Sequence, residues 1–276
     1  MKHSARILFG TTVVLAAVFA TGGSTAAQPH ATRVLPRRHG PAKIHRRRPD
    51  NTVETENWSG YAVTGSSFTD AKGSWVVPTV NCSVTPGSRT SPTYSSFWVG
   101  LDGYSSNTVE QIGTDSDCDR STPTYYAWYE FYPADSFEIN LAVSPGDKMS
   151  AEVSYSGKEF TVTLTDLTTG ATFSKTGTVQ KAKRTSAEWI AEAPCCTRGG
   201  GILPLSDFGT VGFGQNNSSV SNTNYAETSS IPLGPISVFG TAVDQIDMES
   251  SSGVPEANTA SLSADGTSFS VAWASE

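Results

Sequence analysis

The chain has 276 residues and a formal net charge of −7, enough for one large β domain or two small ones. The charge is split: residues 51–276 carry 10 Lys+Arg against 25 Asp+Glu, a net −15, which argues against nucleic acid as a partner because phosphate binding needs a basic surface. All four histidines, His3, His30, His39 and His45, precede residue 51, so the domain that follows brings no His base, no Ser-His-Asp or Cys-His arrangement and, with Cys scarce, no usual zinc site.

In chain order, Lys2 and Arg6 precede an apolar run from Ile7 to Ala20, and small residues follow to Ala27. That is the layout of a secretory signal peptide, residues 1–27, with cleavage expected near Ala27. The run is too short to favour a membrane span, so an exported protein with no membrane partner is expected. Residues 28–50 hold Arg33, Arg37, Arg38, Lys43, Arg46, Arg47 and Arg48 against one acid, Asp50. Such a block reads either as a propeptide lying on the acidic domain or as a disordered, solvated linker. Its position directly behind a signal peptide favours the propeptide.

From Trp58 onward, short alternating segments are separated by Gly, Pro, Ser, Asn and Asp. Strands are predicted at 61–63, 73–77, 95–101, 124–132, 136–143, 148–155, 159–166, 172–179, 188–191, 210–213, 236–243, 261–262 and 268–273. Pro145-Gly146-Asp147, Ser156-Gly157-Lys158, Thr169-Gly170 and Asp265-Gly266 mark turns. Long helical periodicity is absent, so residues 51–276 are expected to form an all-β antiparallel sandwich or barrel. Export makes disulfides plausible. Cys82, Cys118, Cys195 and Cys196 permit three pairings; Cys82–Cys118 is preferred, leaving Cys195–Cys196 as a vicinal bridge or as free thiols.

Three segments carry polar residues on strand faces. In YYAWYEFYP (125–133), Tyr126, Trp128, Glu130 and Tyr132 share one face, suited to a groove that grips an extended ligand; an ordinary core strand with a solvated Glu fits as well. In VEQIGTD (109–115), Val109, Gln111 and Gly113 share a face, and a lone Gln there is ordinarily bland. In RTSAEWIAE (184–192), Ala187, Trp189 and Ala191 point one way and Glu188, Ile190 and Glu192 the other, although composition also allows a short helix. Glu192 reads as an ordinary acid.

Together with NWSGYA (57–62), SWVVP (74–78), FWVGLDG (97–103) and LTTG (167–170), these segments match, in order and approximate spacing, the glutamic peptidases, the eqolisins of family G1. Residues 57–239 resemble that family. The resemblance implies a sandwich of two packed antiparallel sheets of the concanavalin A-like lectin and glucanase type, and a secreted, acid-active, pepstatin-insensitive endopeptidase. Its catalytic dyad falls on Gln111 and Glu188, and its supporting positions on Trp58, Trp98, Asp102, Asp115, Glu130 and Tyr132. One departure is Tyr126, where the family carries Asp; the family's bridge pattern also fails to map onto Cys195-Cys196.

The implied partners are an extended polypeptide substrate and the protein's own basic prosegment, acting on a monomer without metal or organic cofactor. In the implied mechanism Glu188 is general base and then acid, and Gln111 donates to the oxyanion. A glycoside hydrolase using Glu130 and Glu188, or a non-catalytic carbohydrate-binding sandwich, is the alternative, since fold does not fix function.

Overall fold

The computed structural model describes residues 1, 28–83, 91–195 and 201–276. The signal-peptide expectation over residues 1–27 and any bridge to Cys196 therefore lie outside the described residues. Two strands precede the domain, β1 (Ala31–Val34) and β2 (Ile44–Arg47). The domain's strands are β3 (Val53–Thr55), β4 (Trp58–Thr64), β5 (Phe68–Val76), β6 (Ser96–Leu101), β7 (Val109–Asp119), β8 (Thr122–Tyr132), β9 (Phe137–Ile139), β10 (Lys148–Ser156), β11 (Glu159–Asp166) and β12 (Thr172–Gly177). They continue with β13 (Ser186–Glu192), β14 (Thr210–Phe213), β15 (Tyr225–Thr228), β16 (Gly234–Pro235), β17 (Val243–Glu249), β18 (Pro255–Thr259) and β19 (Phe269–Trp273). A single helical turn, α1 (Gln215–Ser218), follows β14.

Antiparallel pairing orders one sheet β9–β8–β7–β6–β13–β4–β17, with β1 added outside β9. The other sheet runs β12–β11–β10–β5, and β5 continues to β15 and, at its end, to β14. β19 and β18 follow β14, and β18 meets the end of β17, joining the two sheets along one side. The result is the antiparallel sandwich that the resemblance implied.

Period-2 alternation explains which faces meet. Val99, Leu101, Ile112, Ala127, Ala187, Trp189 and Ala191 point from the first sheet into one core with Trp75, Ala151, Val153, Val162 and Leu164 of the second. The two buried indoles find partners across the core: Trp189 Nε1 donates to the Lys72 carbonyl at 2.7 Å and Trp75 Nε1 to Thr114 Oγ1 at 2.9 Å. Gly73 is required where Trp189 crosses, because a Cβ there would lie 2.2 Å from Val99 and 2.7 Å from the indole.

Most predicted strands form, with ends shifted by a few residues; three predicted regions differ, and β3, β7 and β15 form outside the predicted set. Residues 236–242 form a 3-10 turn broken at Gly240 (φ 55°) rather than a strand. The strand begins at Val243, in VDQIDME, whose acids disguise its alternation. Residues 261–262 are not in a strand; β18 lies just upstream in PEANT, a poor strand former on propensity that is held by β17 and β19. Within 136–143 only Phe137–Ile139 is strand, because Asn140 N turns to donate to the His30 carbonyl at 2.7 Å.

Cys82 and Cys118 form a disulfide with a sequence separation of 36. Closing a loop of that length stabilises by about 3–4 kcal/mol in the chain-entropy view. Replacing both cysteines with serine is expected to lower the urea midpoint by a corresponding amount; an unchanged midpoint would show that the bridge is dispensable.

Candidate active site

The outer face of the first sheet is a grid fixed by strand register. Glu188 pairs with Gly100, Gly100 with Gln111 and Gln111 with Glu130. Directly paired residues point to the same side, so Glu188, Gln111 and Glu130 share that face. Glu188 and Gln111 stand two strand spacings apart, about 10 Å between backbones, and Gly100 puts no side chain between them. A Cβ at Gly100 would come within 2.8 Å of Trp98 and 3.3 Å of the Gln111 Cβ. Two residues along, the grid reads Ile190, Trp98, Gly113 and Trp128, and two further Glu192, Ser96, Asp115 and Tyr126.

Apart from the half-buried Tyr126, these floor side chains are buried, and residues 28–50 cover those of Gln111, Trp98, Trp128, Glu130 and Glu192. The segment's His39 lies flat on Trp128, ring centroids 3.5 Å apart and planes 5° apart. Its backbone N–H donates to Glu130 Oε2 at 2.8 Å, its Nδ1 is 3.2 Å from Glu192 Oε2, and its carbonyl accepts from Gln111 Nε2. Leu35 joins Trp58, Trp98 and Trp128 in an apolar cluster. Histidine therefore does reach the site, contributed from outside the domain; the composition of residues 51–276 could not show this.

All six arginines of the segment meet domain carboxylates. Arg37 binds Asp117 and lies 3.7 Å from Asp115, its guanidinium 4.1 Å from the Tyr94 ring centroid. Arg33 pairs with Glu138 at 2.6 Å and Arg38 with Asp135. Arg46 and Arg48 both reach Glu54 and Glu249, and Arg47 reaches Asp244 at 2.6 Å. The segment is thus a packed strap with two short strands rather than a solvated linker.

Burial dominates the electrostatics. It pushes the Glu188 carboxyl well above its ordinary range; Asp102 and Glu110 add to the effect, while Ser186 and the Tyr104 N–H offset part of it. Neither of these two contacts meets Glu188 as a full hydrogen bond, so both its oxygens remain able to accept from water. Glu130 and Glu192 are raised for the same first reason, and Glu130 raises Glu192 further. Burial and then Asp115 push Asp117 up to about 7. Burial, with Arg37 nearby, holds the His39 imidazole well below its usual range, and so neutral.

Each residue expected from sequence has a distinct place. Trp98 Nε1 donates to Glu192 Oε2 at 2.8 Å, and Trp58 packs edge-on against Trp98 at 4.9 Å. Glu130 is tied to Gln111 Nε2 at 3.3 Å. Asp115 accepts from the Tyr126 hydroxyl at 2.6 Å, and that hydroxyl also reaches Asp117 at 2.8 Å. Tyr132 is half-buried at the end of β8, its ring facing Gly40.

Asp102 serves as a latch: it accepts the backbone N–H groups of Lys183, Arg184 and Thr185 at 2.7–3.0 Å, fixing the entry to β13 that carries Glu188. Cys195 lies under the strap, its backbone paired with Arg38. Sequence reasoning passed over Glu192 although it shares the Glu188 face, and it passed over His39, Gly100 and Arg37. For Glu192 the alternation itself was the signal; the strap residues had none beyond their charge.

A carboxyl and a carboxamide thus share one sheet face across the glycine of the strand between them, beside Trp98 and Trp128. The chain belongs to the Peptidase A4 family, whose model matches residues 56–268. It is 31% identical over 182 residues to aspergillopepsin-2 of Aspergillus niger, a match covering 59% of this chain; the chain spans 64% of that relative's length. Among solved structures it resembles scytalido-glutamic peptidase with a transition-state analogue inhibitor (25% identity, TM-score 0.63), covering 79% of this chain and 98% of that one. The eqolisin SCP-B in complex with the tripeptide Ala-Ile-His is similar at 25% identity and TM-score 0.60, with the same coverage.

Proposed function

We propose that the protein is an exported acid endopeptidase in which Glu188 and Gln111 hydrolyse peptide bonds. The observation that carries this reading is the Glu188–Gly100–Gln111 row with a peptide carbonyl, that of His39, already seated on Gln111 Nε2. Glu188, ionised, takes a proton from water as the water attacks the carbonyl carbon, and returns it to the departing amine. Gln111 donates its N–H to the oxyanion, and as an amide it keeps that role at any pH. Relatives solved with a transition-state analogue and with a tripeptide support a polypeptide ligand in this groove.

The strap reads as a propeptide that keeps the enzyme latent. Burial would raise Glu54, but the hydrogen bond from Arg46 and the adjacent Arg48 hold it below its ordinary range. A depressed carboxyl contributes stability above its unfolded value and loses it as pH falls through the folded one. His39, depressed as well, contributes above its usual pKa of about 6.5 and loses that contribution on acidification. Both changes loosen the strap in acid, while the raised carboxyls of Glu130 and Glu192 under His39 act in the opposite sense; incubation of the full chain at pH 3 and pH 7 tests the balance: processing at pH 3 alone is expected, and equal processing at both would sink it.

A glycosidase built on Glu130 and Glu188 fits less well, because Gln111 stands between the two acids in the row and both Gln111 and the His39 N–H occupy a Glu130 oxygen. The deciding assay is haemoglobin digestion near pH 3 with and without pepstatin. Gln111→Ala is expected to lower kcat by about 10²–10³-fold, as for other oxyanion donors. Undiminished activity in that variant would remove the amide from the mechanism.

A further inference from the structure

We propose that the side of the sandwich opposite the catalytic face carries a second binding site, for a neutral saccharide. It lies on the outer face of the sheet β12–β11–β10–β5, and the core separates it from Glu188 and Gln111. There a cavity of about 280 Å³ opens between the strands and residues 220–223, just under the roughly 300–1,000 Å³ usual for small-ligand sites.

Strand register lays out the floor. One line of paired residues reads Ser174, Thr163, Glu152, Lys72 and Tyr225, and the next reads Thr172, Thr165, Ser150 and Ser74. Paired residues point to one side of a sheet, and Glu152 meets Lys72 at 3.4 Å. The hydroxyls of Thr163 and Thr165 reach those of Ser174 and Thr172 at 3.1 Å each. A ladder of hydroxyls thus continues from the cavity to the edge strand β12.

The opposite wall is held in place before any ligand arrives. Ser218 Oγ and Ser74 Oγ are 2.7 Å apart, Asn224 Oδ1 accepts from the Ser74 N–H at 3.2 Å, and Asn224 Nδ2 donates to the Thr267 carbonyl at 2.8 Å. Lys148 Nζ donates to Ser219 Oγ at 3.3 Å. Between these ties Thr223 lines the cavity, 2% exposed, and its Oγ1 has no hydrogen-bond partner. An unpaired buried hydroxyl is a standing cost that a ligand hydroxyl removes.

The lining selects the class of ligand. The hydroxyls of Ser150, Thr163 and Thr165 both donate and accept, an ionised Glu152 only accepts, and Lys72 only donates. A sugar ring carries hydroxyls that do both along its edge, and the adjacent Glu152 and Lys72 suit a vicinal pair of them. Tyr225, half-buried and paired with Lys72, supplies an aromatic ring on the same face for the C–H side of a sugar. An anion is disfavoured by Glu152 and by Asp70 and Glu227, paired two residues along, and a cation by the Lys72 ammonium. An extended peptide finds no strand to pair with, because β5, β10 and β11 have neighbours on both sides.

The test titrates the full chain near pH 5 with maltotriose, cellotriose, laminaritriose and triacetylchitotriose, read by calorimetry and saturation-transfer NMR. Thr223→Val and Ser221→Trp are titrated alongside. Valine keeps the shape of threonine without the hydroxyl, and a tryptophan at the exposed Ser221 blocks the cavity without entering the core. Saturable binding of at least one trisaccharide is expected. Thr223→Val should weaken it about three- to tenfold, the worth of one hydrogen bond, and Ser221→Trp should abolish it. Haemoglobin digestion should be unchanged in both variants, since neither touches the catalytic face. Retention on the matching insoluble polysaccharide, lost in Ser221→Trp, is expected and marks a polysaccharide surface as the source. Faster digestion of glycosylated than of unglycosylated ribonuclease, equalised by Ser221→Trp, would instead mark the glycans of substrates. No binding of any trisaccharide, or binding that survives Ser221→Trp, overturns the proposal, whatever haemoglobin digestion shows.

Discussion

Glu188→Gln is expected to lower peptide hydrolysis in acid by about 10²–10⁴-fold, the range for loss of a general acid–base group. The same substitution should stabilise the protein at neutral pH. Burial holds the Glu188 carboxyl above its ordinary value of 4.5 in the folded chain. A raised carboxyl is at its most favourable below the unfolded pKa, and its contribution is lost as pH rises towards the folded one. Glutamine keeps the shape and has no proton to lose, so thermal melts should favour the variant at pH 7 and differ little at pH 3. A merely structural glutamate would give the stability change without the loss of rate, and an exposed one would give neither.

Arg37→Ala should loosen the strap more than any other single arginine change. Arg37 is largely buried between Tyr94, Tyr126, Asp115 and Asp117, whereas Arg46, Arg47 and Arg48 lie at the rim with a third or more of their side chains exposed. Removing one partner of a buried charge cluster typically costs about 3–5 kcal/mol, while exposed pairs are worth about 0–1 kcal/mol each. Inhibition of the processed enzyme by a synthetic peptide of residues 28–50 reads this out. At pH 7 the Arg37→Ala peptide is expected to bind at least about 10²-fold more weakly than the parent, following the buried-pair cost. The gap should narrow below the Asp117 pKa of about 7, as protonation of that acid removes the counter-charge. Equal inhibition by the two peptides would show that the rim pairs, not Arg37, hold the strap.

The sandwich was legible because its inner faces obey alternation so consistently: Ala187-x-Trp189-x-Ala191 and Val99-x-Leu101 announce a buried face, and both lie in the core. Residues 236–242 misled because ISVFGTA has strand composition, yet Gly240 breaks it in a backbone conformation that alternation cannot register. The expected catalytic positions came from short motifs taken together. Their meeting depends on register, which sequence does not print: Gly100 matters only because β6 lies between β7 and β13. Glu192 was set aside as an ordinary acid, although it is fully buried and bonded to Trp98 and His39. The strap was legible as a charge block but not as a ligand, because what places His39 on Gln111 is a tertiary fit between segments 72 residues apart.

The central claim is that Glu188 and Gln111 act on the same carbonyl. The most direct test is a double-mutant cycle of kcat/KM for a peptide substrate near pH 3, comparing wild type, Glu188→Gln, Gln111→Ala and the double variant. Residues that act as a unit are strongly non-additive, so the double variant should fall little below Glu188→Gln alone. Additive losses, or wild-type activity in either single variant, would contradict the shared site.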